Sequence, residues 1–264
     1  LRYCYIHYNS AELERCLEVI EKNRTSYMSM LGFFDDQLFC TSHAFKAIFD
    51  HKQFVRKDIE LPLLYRNVPW FVVGNGPSLD KDIDFLRKYK NKALIIACGT
   101  DIDTLYNIGI TPDFYGCTER VPEMAETLQL SPDKDLLKKI ILISSESVHP
   151  DVQHYFEHTA IFMKMGESFY ALTTNGEIAN ANKIRTISMM NPMVGNLGIA
   201  AGTFLKFQKI YLFGIDNGVK TGIGKLHSKF NNLFSQLADY DKEMVSNLTD
   251  VHPGNFGEYC HTDY

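Results

Sequence analysis

The 264-residue chain has no apolar run near the roughly 20 residues that a membrane-spanning helix needs, and no signal-peptide pattern is visible. Nor is there an excess of positive charge. With 27 Lys and Arg against 32 Asp and Glu, the formal net charge is −5, which leaves no electrostatic footprint for nucleic acid or an anionic membrane. The six cysteines, at 4, 16, 40, 98, 117 and 260, never form a Cys-x-x-Cys pair. Cys98 and Cys117 lie in apolar, strand-like runs, where a thiol serves as a small buried hydrophobe. These absences lead us to expect a protein of the reducing cytoplasm. Beginning at Leu1 and stopping in the polar His261-Thr-Asp-Tyr264, the chain is expected to be a piece of something longer.

What the chain does have is alternation. Trp70-Phe-Val-Val73 runs into Gly74-Asn-Gly76, Pro77-Ser78 follow, and Leu79, Ile83, Leu86 and Tyr89 then recur at helical spacing. The pattern is strand, tight turn, helix. Two glycines permit a sharp turn and close approach to a ligand, and the helix N-terminus behind them offers unpaired N–H groups suited to a phosphate. Ser78 can cap that helix or turn its hydroxyl to a ligand; a plain capped turn accounts for the same residues. The third glycine of a dinucleotide fingerprint is missing, and so is the Gly-Lys-Ser/Thr of a P-loop.

Further strands are expected at 92–98, 113–117, 139–144, 160–164 and 209–214, several of them near-continuous apolar runs, as in a parallel sheet covered on both faces. Between them, Thr100-Asp-Ile-Asp103 fits a capping box whose helix Gly109 can close, and Gly195 to Phe207 predicts a small, apolar helix. The first 66 residues read differently. Ala11 to Asn23 is amphipathic, with Leu13, Cys16, Leu17 and Ile20 on one stripe. Phe45, Ile48 and Phe49 predict a second helix that runs on to Phe54 and Val55. The expected fold is α/β, a doubly wound, mostly parallel sheet of the Rossmann-like kind over 67–264. A helical lead-in over 1–66 packs on it or ends an upstream domain.

Ligands of such sheets collect outside the carboxyl ends of the strands. The candidates there are Asn75, Gly76, Ser78, Gly99, Thr100, Thr118, Glu119, Ser144, Ser145, Gly166, Gly214, Asp216 and Asn217. The set is small, polar and hydroxyl-rich, which suits a nucleotide or a sugar. A metal clamp is not expected. Asp82-Ile-Asp84 and Asp101-Ile-Asp103 fall inside helical patterns, where residues two apart do not face each other. His154 and His158, read as one amphipathic helix near His149, lack a third ligand. Glu119 either binds a ribose or sugar hydroxyl or starts the helix beside Pro122, where the dipole favours a carboxylate.

Four segments in order are Gly74-Asn-Gly-Pro-Ser-Leu79, Asn191-Pro-Met-Val-Gly-Asn-Leu-Gly-Ile-Ala-Ala-Gly202, Lys209-Ile-Tyr-Leu-Phe-Gly-Ile-Asp-Asn217 and His227-Ser-Lys229. Together they resemble the central domain of the motility-associated factor (Maf) flagellin glycosyltransferases. The same order is similar to the bacterial sialyltransferases that use CMP-activated nonulosonic acids and, more distantly, to archaeal 6-hydroxymethylpterin diphosphokinases. The likeness implies a metal-independent glycosyltransferase, needing no cofactor beyond its CMP-nonulosonic acid donor. It would move pseudaminic or legionaminic acid to a Ser or Thr hydroxyl of flagellin in the cytoplasm. By the resemblance, Asn75, Gly76 and Ser78 line the cytidylate site, and Gly195 and Asn196 approach the donor from the opposite helix N-terminus. Gly214 and Asp216 border the nucleoside, with Thr100 and Glu119 at neighbouring strand ends. His227 is the general base, a task that suits a group titrating near neutrality, while the leaving CMP needs its growing charge stabilised.

The chain departs from the sialyltransferases in two places. Their tyrosines after the Gly-Ile-Asp strand, which handle the leaving phosphate, have no counterpart in 217–227. Lys220, Lys225 and Lys229 either substitute for them or are solvated lysines of a glycine-rich loop, in which His227 too reads as a surface residue. Cys98-Gly-Thr-Asp101 replaces an expected asparagine. Two other functions stay open. One is a magnesium-dependent pyrophosphokinase acting with ATP on a 6-hydroxymethylpterin, for which Asp216 and Glu119 are the carboxylate pair. The other is a non-catalytic module that binds flagellin or a chaperone through its aromatic lead-in.

Overall fold

In the computed structural model, the described residues are 10–24, 34–129, 131, 133–174, 184–191, 193–216, 218–220, 225–232, 251–253 and 259–261. Ser10 accepts the Leu13 amide at 3.1 Å and caps α1 (Ala11–Lys22), whose first turn carries Glu12 and Glu14 where the dipole favours them. The amphipathic stripe is present, but no residue of α1 is buried. The next helix, α2 (Phe34–Phe49), begins earlier than its aromatic pattern predicts and does not run on to Phe54 and Val55. His51 adopts a φ of 54°, which ends helical geometry. Val55 is extended instead, its amide donating to the Ile161 carbonyl at 2.8 Å. The inward face of α2 is also not the aromatic one. Cys40, His43, Ala44 and Ala47 are buried, while Phe45, Ile48 and Phe49 are exposed. Small side chains let this helix lie close to its neighbours, while Phe45 meets the edge of Phe169 at 5.4 Å from a half-exposed position. A single turn, α3 (Leu63–Arg66), leads to the sheet.

The four apolar residues before the glycine pair form β1 (Trp70–Val73), buried throughout. β1 pairs in parallel with β2 (Leu94–Cys98) on one side and with β7 (Ile210–Phe213) on the other. Between them in sequence come β3 (Phe114–Cys117), β4 (Ile141–Ser145), β5 (His158–Lys164) and β6 (Thr186–Ile187). The spatial order is β6-β5-β4-β3-β2-β1-β7, and all neighbours are parallel. Each of the six expected strands is found within two residues of its expected bounds; β6 was not anticipated. Three short strands, β8 (Val219–Lys220), β9 (Val251–Pro253) and β10 (Tyr259–His261), form a separate antiparallel sheet.

Alternation along each strand splits the core into two layers. Phe71, Val73, Ile95, Ala97, Tyr115 and Leu142 meet the crossover helices α4 (Leu79–Tyr89), α5 (Asp101–Asn107), α6 (Glu123–Gln129), α7 (Lys134–Lys139) and α8 (Pro150–Gln153) on one face. At the far end of the sheet, α9 (Ser168–Thr174) packs Phe169 against Ala44 of α2 and Met163. On the opposite face, Trp70, Val72, Ile96 and Phe162 meet Leu197 and Ala201 of α10 (Val194–Phe204). This helix lies flush on β1 because its contact residues are glycines. A Cβ on Gly198 would come within 2.6 Å of Val72 Cγ1, and one on Gly202 within 2.6 Å of Trp70 Cδ1. The Trp70 indole N–H donates to the Gly198 carbonyl at 3.0 Å, satisfying the polar atom of a fully buried ring.

The sheet is therefore wound in both directions. The chain walks from β1 outward to β6, then returns through α10 to place β7 beside β1. The carboxyl ends of β1 and β7 form the topological switch point, where open α/β sheets bind ligands. No helix among the described residues is long and apolar enough to cross a membrane.

Candidate functional site

At the switch point the two strand ends are laced together. The Gly74 amide donates to the Phe213 carbonyl at 2.8 Å, and the Gly76 amide to the Gly214 carbonyl at 2.9 Å. Gly214 holds a φ of 60°, a conformation open to glycine. A Cβ on Gly74 would stand 2.6 Å from Ile215 Cδ1, and one on Gly76 2.7 Å from the Gly214 carbonyl oxygen and from the Asp216 carboxyl carbon. The glycines thus let one strand end approach another. The Ser78 amide, at the mouth of α4, donates to the Asp216 carboxylate at 2.8 Å, and Ser78 itself makes no side-chain cap. This anion-seeking helix end already has its anion, supplied from beyond β7.

Next to this turn lies a polar network. Asn75 donates to the Thr100 hydroxyl at 3.3 Å and accepts from the Thr104 hydroxyl at 2.8 Å. Asn231 donates to the Thr100 carbonyl at 2.9 Å and is 3.0 Å from the Thr104 hydroxyl. The Ser228 amide donates to the Asn75 carbonyl at 2.8 Å, and its hydroxyl donates to Asp80 at 2.6 Å. His227, half-buried, is thereby held beside the glycine turn. α10 closes the remaining side. Gly99, after β2, lies against Val194, and Gly195 lies against Ile215, so the N-terminus of α10 abuts the ends of both β2 and β7.

The fold brings together Asn75, Gly76, Ser78, Thr100, Gly195, Gly214, Asp216 and His227, with Asn196 one residue beyond Gly195 on α10. Glu119 is apart from them, exposed after β3, and its carbonyl accepts the His149 amide at 2.9 Å. It does not start a helix, since α6 begins at Glu123. The capping box at Thr100 is not formed. Thr100 has helical dihedrals and makes no side-chain cap, while Asp103 instead accepts the Asn232 amide at 2.6 Å. Asp101 is fully buried, and burial pushes its carboxyl well above the usual range; among the described residues neither oxygen has a hydrogen-bond partner. Cys98 and Cys117 are buried as expected, and burial drives the Cys117 thiol up to about 12. His154 and His158 do not share a helix: His154 closes α8 and His158 opens β5. Among the described residues no three His, Cys, Asp or Glu side chains gather as a metal-ligand set. Asn217 and Tyr264 lie outside the described residues.

Sequence reasoning missed a second group, at the carboxyl ends of β4 and β5. Buried Lys164 pairs with Glu167 at 2.5 Å, and Arg120 bridges Glu167 to Asp36 of α2, 3.4 Å from each. Glu146, fully buried, accepts the Lys164 amide at 2.7 Å. Burial lifts its carboxyl to about 8, against the pull of that hydrogen bond. Burial pushes Glu167 the same way, but the hydrogen bond and charge of Lys164, with Arg120, outweigh it and hold that carboxyl below its usual range. The sequence signal was a charged residue at or just past the end of each apolar run and the three-residue spacing of Lys164 and Glu167, which pairing of the two strands turns into one cluster.

The family described as 6-hydroxymethylpterin diphosphokinase MptE-like matches residues 43–222. This chain belongs to that family. Among solved structures it is similar to the Maf glycosyltransferase from Magnetospirillum magneticum AMB-1, with a TM-score of 0.68 and 25% sequence identity. The match covers 97% of this chain and 36% of that one, so the chain spans about a third of its structural relative. No curated protein matches it.

Proposed function

We propose that this chain is the donor-binding, catalytic part of a glycosyltransferase that moves a sialic-acid-like nonulosonic sugar, pseudaminic or legionaminic acid, from a CMP donor to a Ser or Thr hydroxyl of cytoplasmic flagellin, without a metal. The observation that supports this reading is the 2.8 Å bond from the Ser228 amide to the Asn75 carbonyl, which ties the residue after His227 to the glycine turn at the switch point. A base there can take the acceptor hydroxyl's proton as the new glycosidic bond forms. The leaving phosphate would not sit on α4: the Ser78 amide at its N-cap is taken by Asp216, and the Leu79 and Asp80 amides turn back to the Gly76 and Pro77 carbonyls. The N-terminus of α10 suits it better, having no side-chain cap and no acid in its first turn. Asn75 then acts by shaping the turn, since its side chain is committed to Thr100 and Thr104.

The test is calorimetric titration with CMP, with and without magnesium, beside a transfer or hydrolysis assay on a CMP-nonulosonate. Magnesium-insensitive CMP binding, and a His227→Ala variant that binds CMP but does not turn over, are expected. If the full protein containing this chain neither binds CMP nor cleaves the donor, the reading fails.

Family membership favours a second reading, magnesium-dependent pyrophosphate transfer to a pterin alcohol. Magnesium needs one or two carboxylates beside the substrate phosphates. The pair available does not fit. Asp216 follows β7 and Glu119 follows β3, three strand positions or on the order of 14 Å apart, and Asp216 is engaged by Ser78. ATP binding that strictly requires magnesium would favour this alternative.

A further inference from the structure

We propose that Asp80 and Asn231 are positioning residues for His227, acting through the segment 228–232; the idea rests on the role given to His227 above. Asp80, in the first turn of α4, accepts the Ser228 hydroxyl on one oxygen at 2.6 Å and faces the Lys229 amide with the other at 3.4 Å. Asn231, with no exposed surface, reaches the Thr100 carbonyl and the Thr104 hydroxyl, both at the start of α5. Three further bonds close the same strap: the Asn232 backbone amide to Asp103, the Asn232 side-chain amide to Asn107 at 3.1 Å, and Asn107 to the Phe230 carbonyl at 2.8 Å. The residues right after His227 are therefore fastened to the first turn of α4, along α5 from Thr100 to Asn107 and, through Ser228 and Asn75, to the glycine turn between β1 and α4.

Such fastening is costly to build for a merely solvated loop. Ser228 and Asn231 are buried polar residues, and each needs its partners to offset the loss of water. What it yields is a fixed distance from the His227 backbone to the crevice. Displacing a reacting group by about 1 Å can cost about 100-fold in rate, so slack in this strap appears in turnover before it appears in donor affinity.

The variants are Asp80→Ala, Asp80→Asn and Asn231→Asp, checked for unchanged thermal midpoint. Asn231→Asp keeps the shape and loses both donors; Asp80→Asn keeps an acceptor for Ser228. Asn231→Asp and Asp80→Ala should lower kcat for donor cleavage by about 10- to 100-fold with KM changed by less than about threefold, while Asp80→Asn recovers most of the loss. In the His227→Ala background the same substitutions should have no further effect on residual hydrolysis. Independently of any turnover, the His227 imidazole resonance, assigned by its loss in His227→Ala, should shift in Asn231→Asp and Asp80→Ala. An unmoved resonance, or losses that add to that of His227→Ala, would overturn the proposal. A shifted resonance in a protein that cleaves no donor would keep the strap and discard the glycosyltransferase reading.

Discussion

The Ser78 amide and the Asp216 carboxylate meet at 2.8 Å although 138 residues separate them in sequence. The helix after the glycine turn is thus capped from the other side of the switch point. Replacing Asp216 with Ala is expected to lower stability by about 0.5–2 kcal/mol, the usual range for losing a cap. Asp216→Asn, which keeps an acceptor, should lose less. Urea unfolding followed by the emission of Trp70, the single tryptophan of the chain, measures both.

Gly202→Ala would drive a Cβ to within 2.6 Å of the Trp70 ring, which is fully buried between the sheet and α10. Overpacking of this kind costs about 1–3 kcal/mol. The urea midpoint should fall accordingly, and the folded-state Trp70 emission should change, since the indole must give way to the new methyl.

Glu146 makes stability depend on pH. Its folded value of about 8 lies above the ordinary 4.5, because burial disfavours the charged form. Its contribution is fully present below pH 4.5 and is lost as pH rises through 8. Glu146→Gln has no proton to lose. It should match the parent near pH 5 and exceed it in urea midpoint at pH 8. Equal midpoints at both values would show that Glu146 titrates normally.

Lys164→Met should be among the most damaging changes away from the switch point. It removes the cation 2.5 Å from Glu167 in a site with almost no solvent. Breaking one side of a buried pair costs about 3–5 kcal/mol, and the loss should sit near the lower end because Arg120 still faces Glu167. Thermal unfolding of the variant checks this.

Much of the sheet was legible because buried parallel strands write unbroken apolar runs, as Leu94–Cys98 and Ile141–Ser145 do. The face of α2 was not. The eye follows Phe45, Ile48 and Phe49, but close packing selects Cys40, Ala44 and Ala47. His154 and His158 are four apart, the spacing of a helical face, yet a helix end and a strand start fall between them. Asn75, Gly76, Ser78, Thr100, Gly214 and Asp216 were candidates from the glycines and strand ends, whereas Gly195, Asn196 and His227 came only from the family resemblance. Their wiring was not legible, since Ser78 looks like its own cap until the fold brings Asp216 to it. Lys164 and Glu167 are three residues apart, but Glu146 joins them only through the β4–β5 pairing, in which Ser145 lies opposite Phe162.

The placement of β7 beside β1 also sets when the crevice can exist during synthesis. At about 5–20 residues per second, the 138-residue step from Ser78 to Asp216 takes on the order of ten seconds to emerge. For that interval β1 has a bare, wholly apolar edge and α4 has no cap. The growing chain can assemble β1 through β6 and still lack the crevice between β1 and β7, so a chain stalled before residue 210 presents a sheet open to pairing with another copy.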